Sequence, residues 1–155
     1  MNELSVLFVC LGNICRSPLA EGAFRAAAEE AGADIRASSA GTGSWHVGEP
    51  PDPRAIAVAN ANGVDISALR GRQVTAEDFL RFSHVIALDR ENLAHLKRLR
   101  PKGGGAAELS LLLDHVPGRE GEPVADPYFG EEDGFAETWD DVVAGTRALL
   151  TELAP

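Results

Sequence analysis

The chain has 155 residues, enough for one compact domain with a buried core and too few for two ordinary ones. Its hydrophobic content of 45% with 25% charged residues is that of a soluble globular protein, and no apolar run approaches the roughly 20 residues that span a bilayer. Fourteen basic residues against 24 acidic ones give a formal charge of −10, which argues against broad contact with nucleic acid or an anionic membrane.

The N-terminus runs directly into an apolar segment, without a basic stretch or a small-residue cleavage site, so a cytoplasmic location is expected. Residues 4–9 form a nearly continuous apolar strand, of the kind buried on both faces of a parallel sheet. Cys10 stands at its end. The loop Leu11, Gly12, Asn13, Ile14, Cys15 follows, and Arg16-Ser17-Pro18 opens a helix-forming segment. Main-chain N–H groups curled around one point, joined to the positive end of a helix, make a cradle for a phosphate-sized anion. Arg16 adds a planar fork suited to two oxygens of a tetrahedral oxyanion, and the same field favours a Cys10 thiolate. Ser17 either donates its hydroxyl to that sulfur or caps the helix. Gly12 and Asn13 tolerate positive φ as ordinary turn residues; within the cradle, Asn13 is placed to hold the loop open and Gly12 to let an oxyanion approach.

A helix over residues 18–30 ends at Gly32, and a second short strand covers 35–39. The Gly- and Ser-bearing loop that follows carries Trp45. Asp52 caps a helix over 54–62 that begins with Pro53 and closes at Gly63, and Thr75-Ala76-Glu77-Asp78 resembles a capping box for a third helix through position 81. A strand at 84–88 ends at Asp89, a helix spans 91–99, a fourth strand spans 108–113, and a final helix spans 135–153. Between them, 116–130 is a long ordered loop. Alternating strands and helices predict a doubly wound parallel α/β domain over residues 1–155, with ligands at the strand C-termini.

Within the long loop lies Asp126-Pro127-Tyr128. Asp-Pro is most often a turn starter, but Pro127 also forces Asp126 into extended geometry, from which a carboxyl can project. Nine acidic residues and no Lys or Arg stand between positions 120 and 141; such a field favours a protonated carboxyl, as a general acid requires. Tyr128 and Trp45 sit in polar, Gly-containing loops and read as walls of a slot for an aromatic ring. His46, His84, His95 and His115 show no pattern relative to Cys10 and receive no role. Cys10 and Cys15, five apart in one loop, do not suit a structural disulfide, and no Cys/His cluster completes a metal site. No metal or cofactor is expected.

Cys10-Leu11-Gly12-Asn13-Ile14-Cys15-Arg16-Ser17 is the C-x5-R signature of cysteine-dependent phosphatases, with Asp126-Pro127-Tyr128-Phe129-Gly130 far downstream. In that order the chain resembles the low-molecular-weight protein tyrosine phosphatases. Ser39-Ala40-Gly41-Thr42, Trp45-His46-Val47-Gly48, Arg72-Gln73-Val74-Thr75, and Asp89 with Asn92 extend the likeness over essentially the whole chain. The resemblance implies a four-stranded parallel sheet in the order 2-1-3-4. It also implies hydrolysis of phosphotyrosine proteins and small aryl phosphates through a phosphocysteine, with phosphate and vanadate as inhibitors. Cys10 is then the nucleophile, Arg16 the phosphate binder and Asp126 the acid and base. Ser39 becomes a hydrogen-bond partner of Asn13, although a solvated loop serine reads equally well. Cys15 becomes a partner for an oxidised Cys10, although it also serves as a space-filling thiol. Leu69 departs from the family, standing where histidine is common, so a supporting bond to the cradle is in doubt.

Two rivals remain. A thioredoxin-coupled arsenate reductase shares this fold and loop but relays a disulfide through two further downstream cysteines, and none follows Cys15. A phosphate-binding module without turnover would need no acid.

Overall fold

The computed structural model describes residues 3–103, 105–128 and 132–155, with the backbone alone for 132 and 133. Phe129 and Gly130, named in the sequence analysis, lie outside the described residues. Four strands, β1 (Ser5–Cys10), β2 (Arg36–Gly41), β3 (His84–Ala87) and β4 (Glu108–Leu111), form one sheet in the order β2-β1-β3-β4, all neighbours parallel. Among the described residues, five helices, α1 (Arg16–Glu30), α2 (Pro53–Ala61), α3 (Asp78–Arg81), α4 (Arg90–Leu99) and α5 (Glu132–Leu153), cover it. Both the topology and the fold class match the sequence expectation.

The unbroken apolar run of β1 has a direct cause. Val6, Phe8 and Cys10 face a core shared with α1, α2 and α5, while Leu7 and Val9 face a second core built on α3 and α4. A strand covered on both sides has no polar face to alternate with. An isolated helix of the length of α1 is marginal in water, so α1 is held by the face it buries: Leu19 and Phe24 are fully inaccessible, each worth about 1.5–3 kcal/mol in burial. Where α5 crosses behind the sheet, Gly145 lets the helix approach; a Cβ there would meet Leu112 at 2.4 Å.

The local signals set the element ends. Asp52 accepts from the Arg54 N–H at 2.8 Å with Pro53 at the first helical turn, and Asp78 accepts from the Thr75 N–H at 2.8 Å. The fourth strand is shorter than expected. It stops at Leu111, and Leu112–His115 is a 3-10 turn, because Asp114 folds back to accept the Leu111 N–H at 3.0 Å. Helix α1 begins at Arg16 rather than 18 and α5 at 132 rather than 135. No helix among the described residues is long and apolar enough to cross a membrane.

Candidate active site

Cys10 ends the central strand β1 in register with Gly41, the last residue of β2. A Cβ on Gly41 would lie 3.0 Å from the Leu11 carbonyl and 3.2 Å from Asn13, so the neighbouring strand must end in glycine for the loop to curl over it. Asn13 takes the left-handed φ of 58°, whereas Gly12 does not; the asparagine makes the turn. Its amide is buried and fully used. Nδ2 donates to Ser17 Oγ at 2.8 Å and to Ser39 Oγ at 3.0 Å, and Oδ1 accepts the Arg72 N–H at 3.0 Å.

With Asn13 donating to its oxygen, Ser17 keeps its own proton for an acceptor. Its Oγ lies 2.9 Å from Cys10 Sγ and 3.4 Å from the Ala40 carbonyl. Cys15, without a side-chain bond, occupies the cap of α1, so Ser17 is not the cap; its hydroxyl stands within bonding distance of the sulfur, with either atom able to donate. The Ser39 hydroxyl donates to Glu21 Oε1 at 2.7 Å. Burial pushes the Glu21 carboxyl above its ordinary range, against the lowering effect of Ser39 and Arg25. Leu69, at the position of the departure, packs as an aliphatic side chain against the core. Asn13 Oδ1 is satisfied from the main chain instead.

Arg16 is 2% exposed. Its Nη1 is committed to Asp89 Oδ2 at 2.7 Å and to the Val124 carbonyl at 2.9 Å, while Nε is buried with no hydrogen-bond partner among the described residues. Burial works against the charge, but Cys10, Asp89 and Asp126 outweigh it and hold the guanidinium above its ordinary pKa. The edge formed by Nε and Nη2 is thus the part of the fork available to two oxygens of a tetrahedral anion. Asp126 Oδ2 lies 3.6 Å from that Nη2.

These groups open on a cavity of about 210 Å³, below the range of drug-sized pockets and suited to one side chain rather than a length of peptide. Leu11, Gly12, Ile14 and Cys15 border its floor with Cys10 and Arg16. Trp45, His46 and Tyr128 form the mouth beside Asp126. Trp45 is 69% exposed and Tyr128 36%, so neither is a core aromatic. The Trp45 ring lies across Gly43, where a Cβ would come within 1.8 Å of it. Asn13 and Ser17 stand behind the loop, outside the cavity lining.

Two placements differ from the sequence reading. His46, given no role there, lines the cavity and hydrogen-bonds Glu49. The acidic stretch around Asp126 is not unopposed. Arg119, one position before it, pairs with Glu122 at 3.1 Å and Asp141 at 3.0 Å, and the charge facing Asp126 is that of Arg16. Asp89 also has a function the residues alone did not show. It caps α4 by accepting the Asn92 N–H at 2.7 Å and anchors Arg16 with its other oxygen. The strand order that the resemblance implies held the signal, because β3 lies beside β1 and its end then faces Cys10. Burial pushes the Cys15 thiol up, with Asp52 and Cys10 adding to the effect; both cysteines are free and buried.

The family model for low molecular weight phosphotyrosine protein phosphatase matches residues 5–155. A Schizosaccharomyces pombe protein named low molecular weight phosphotyrosine protein phosphatase is 40% identical over 98% of this chain and 98% of its own length. A Streptomyces coelicolor low molecular weight protein-tyrosine-phosphatase is 45% identical over 94% of this chain and 90% of its own. Among solved structures, the protein tyrosine phosphatase from Entamoeba histolytica with Hepes in the active site superposes with a TM-score of 0.91 at 31% identity, covering 97% of each chain.

Proposed function

The chain belongs to the low molecular weight phosphotyrosine protein phosphatase family, and from that premise we propose that it hydrolyses phosphotyrosine in proteins and small aryl phosphate monoesters through a phosphocysteine. One observation carries the reading: the Cys10 sulfur, the Nε/Nη2 edge of Arg16 and the Asp126 carboxyl all border the same small cavity. A sulfonate such as Hepes is itself a tetrahedral oxyanion, which fits its presence in the related active site.

In the first step the Cys10 thiolate attacks phosphorus in line, forming an S–P bond as the P–O bond to the phenol breaks. Arg16 and the main-chain N–H groups at the start of α1 hold the equatorial oxygens. Asp126 gives its proton to the leaving oxygen. In the second step the ionised Asp126 takes a proton from water, water attacks phosphorus, and the S–P bond breaks to release inorganic phosphate and the thiolate. Ser17, held by Asn13, supports the sulfur from behind. Trp45 and Tyr128 flank the aromatic ring, and His46 shares that mouth. Cys15 retains a second role. When peroxide converts Cys10 to a sulfenic acid, the Cys15 thiol displaces water from it and forms a disulfide, sparing the nucleophile from deeper oxidation.

Hydrolysis of p-nitrophenyl phosphate and of a phosphotyrosine peptide, without any thiol donor and inhibited by orthovanadate, is the expected result. Turnover of arsenate that consumes thiols would favour the reductase instead. Phosphate binding with no hydrolysis of either ester would favour the binding module.

A further inference from the structure

The start of α2 touches both halves of this site. Asp52, its cap, donates its main-chain N–H to the Ile14 carbonyl at 2.8 Å, within the cradle loop. Both carboxylate oxygens of Asp52 are taken by Arg54, Oδ1 by Nε at 3.1 Å and Oδ2 by Nη2 at 3.0 Å. The same Nη2 donates to the Tyr128 carbonyl at 2.9 Å, and the guanidinium lies 5.7 Å from the Tyr128 ring centre and 4.6 Å from that of Phe135. Tyr128 in turn donates its N–H to Asp126 Oδ1 at 3.1 Å. An unbroken line of contacts thus runs from Ile14 through Asp52, Arg54 and Tyr128 to the Asp126 carboxyl.

We propose that Arg54 is a positioning residue for Asp126, clamping the acid loop to the cradle loop through Asp52 so that the carboxyl stands at the leaving-group oxygen. Arg54 does not line the cavity that holds Cys10, so its effect passes through the Tyr128 peptide rather than through substrate. Arginine suits the task because its planar fork grips a carboxylate with two donors, keeps one for a carbonyl and lays its face on aromatic rings; a lysine ammonium offers none of that geometry. A displacement of about 1 Å at a reacting group costs on the order of 100-fold in rate, so a slackened clamp is measurable without any change in the cradle.

The inference rests on Asp126 being the general acid, and the test separates the two. Arg54→Ala and Arg54→Lys are made alone and combined with Asp126→Ala, and kcat/KM is measured for p-nitrophenyl phosphate and phenyl phosphate together with the inhibition constant of inorganic phosphate. The expected result is a fall of about 10- to 100-fold for phenyl phosphate, whose phenolate is a strong base and needs the proton. p-Nitrophenyl phosphate should fall much less, the inhibition constant should hold, and no further loss should appear in the Asp126→Ala background. Equal losses on the two esters, weaker phosphate binding in parallel, or losses that add to those of Asp126→Ala would each overturn the proposal. If Arg54→Ala does not fold, Arg54→Lys, which keeps charge and stem, is judged by the same comparison. Should Asp126→Ala itself treat the two esters alike, the acid assignment falls and takes the clamp with it. A silent Arg54→Ala beside a leaving-group-sensitive Asp126→Ala overturns the clamp alone.

Discussion

The cradle loop and the acid loop meet over one cavity, yet they are held there in different ways. Cys10, Asn13, Arg16 and Ser17 are each 3% exposed or less; Asn13, Ser17 and Cys10 are joined by side-chain hydrogen bonds, and Arg16 is anchored separately on Asp89 and the Val124 carbonyl. The Asp126 side chain is 37% exposed, facing Arg16 at 3.6 Å and bonded to the N–H of Tyr128. A buried hydrogen-bonded network answers substitution abruptly, because each lost partner leaves another buried polar group without one. A loop held at its edge answers by degrees. In the proposed mechanism the nucleophile is therefore built into the core, and the proton donor is hung beside it.

The sharpest way to break this contrast is Cys10→Ser. Turnover should vanish, while inorganic phosphate still binds by titration calorimetry, since Arg16 and the loop remain; residual hydrolysis would mean that the sulfur is not the attacking group. Next in size comes Asp126→Ala, for which kcat/KM should drop by roughly 10² to 10⁴, most for esters with strongly basic leaving groups and with an unchanged urea midpoint. A large loss of stability would put Asp126 inside the core network after all. Asn13→Ala inverts that pattern. It removes the amide that serves Ser17, Ser39 and Arg72 and places alanine at a left-handed φ, so stability should fall by about 1–3 kcal/mol or more, along with activity.

The smallest effect belongs to Glu21→Gln. Burial raises the Glu21 carboxyl above its ordinary value of 4.5, so the folded chain binds a proton there more readily than the unfolded one. Stability from this group is then fully present below 4.5 and declines as pH rises through the raised value. Relative to the wild type, the glutamine variant should gain stability as pH rises through that window. Thermal melts across pH that run parallel for the two proteins would remove Glu21 from the account.

The same division explains what the sequence made legible. Strand, loop and helix start from 5 to 18 are contiguous, and every local device there, from the apolar run to Pro18, points the same way. The cap at Asp52 and the turn that Asp78 closes on the Thr75 N–H are likewise three or four residues wide. Arg16 and Asp89, by contrast, lie 73 positions apart and Arg54 and Tyr128 lie 74 apart, and nothing in composition or periodicity couples them until the sheet order is known. His46 carries no sequence signal because it contributes a wall of the cavity and no partner to Cys10. The charge field around Asp126 differs from the sequence expectation for a simpler reason: Arg119 sits one position outside the acidic stretch and folds back onto it.

One consequence of the crowded duties of Asn13 concerns ageing rather than design. Asparagine is among the thermolabile residues, and hydrolysis of this one amide would replace two donated protons with a carboxylate one serine removed from the sulfur, leaving the hydroxyls of Ser17 and Ser39 facing an acceptor. A stored sample would then lose catalytic competence through a mass change of a single unit while its helices and sheet remained in place.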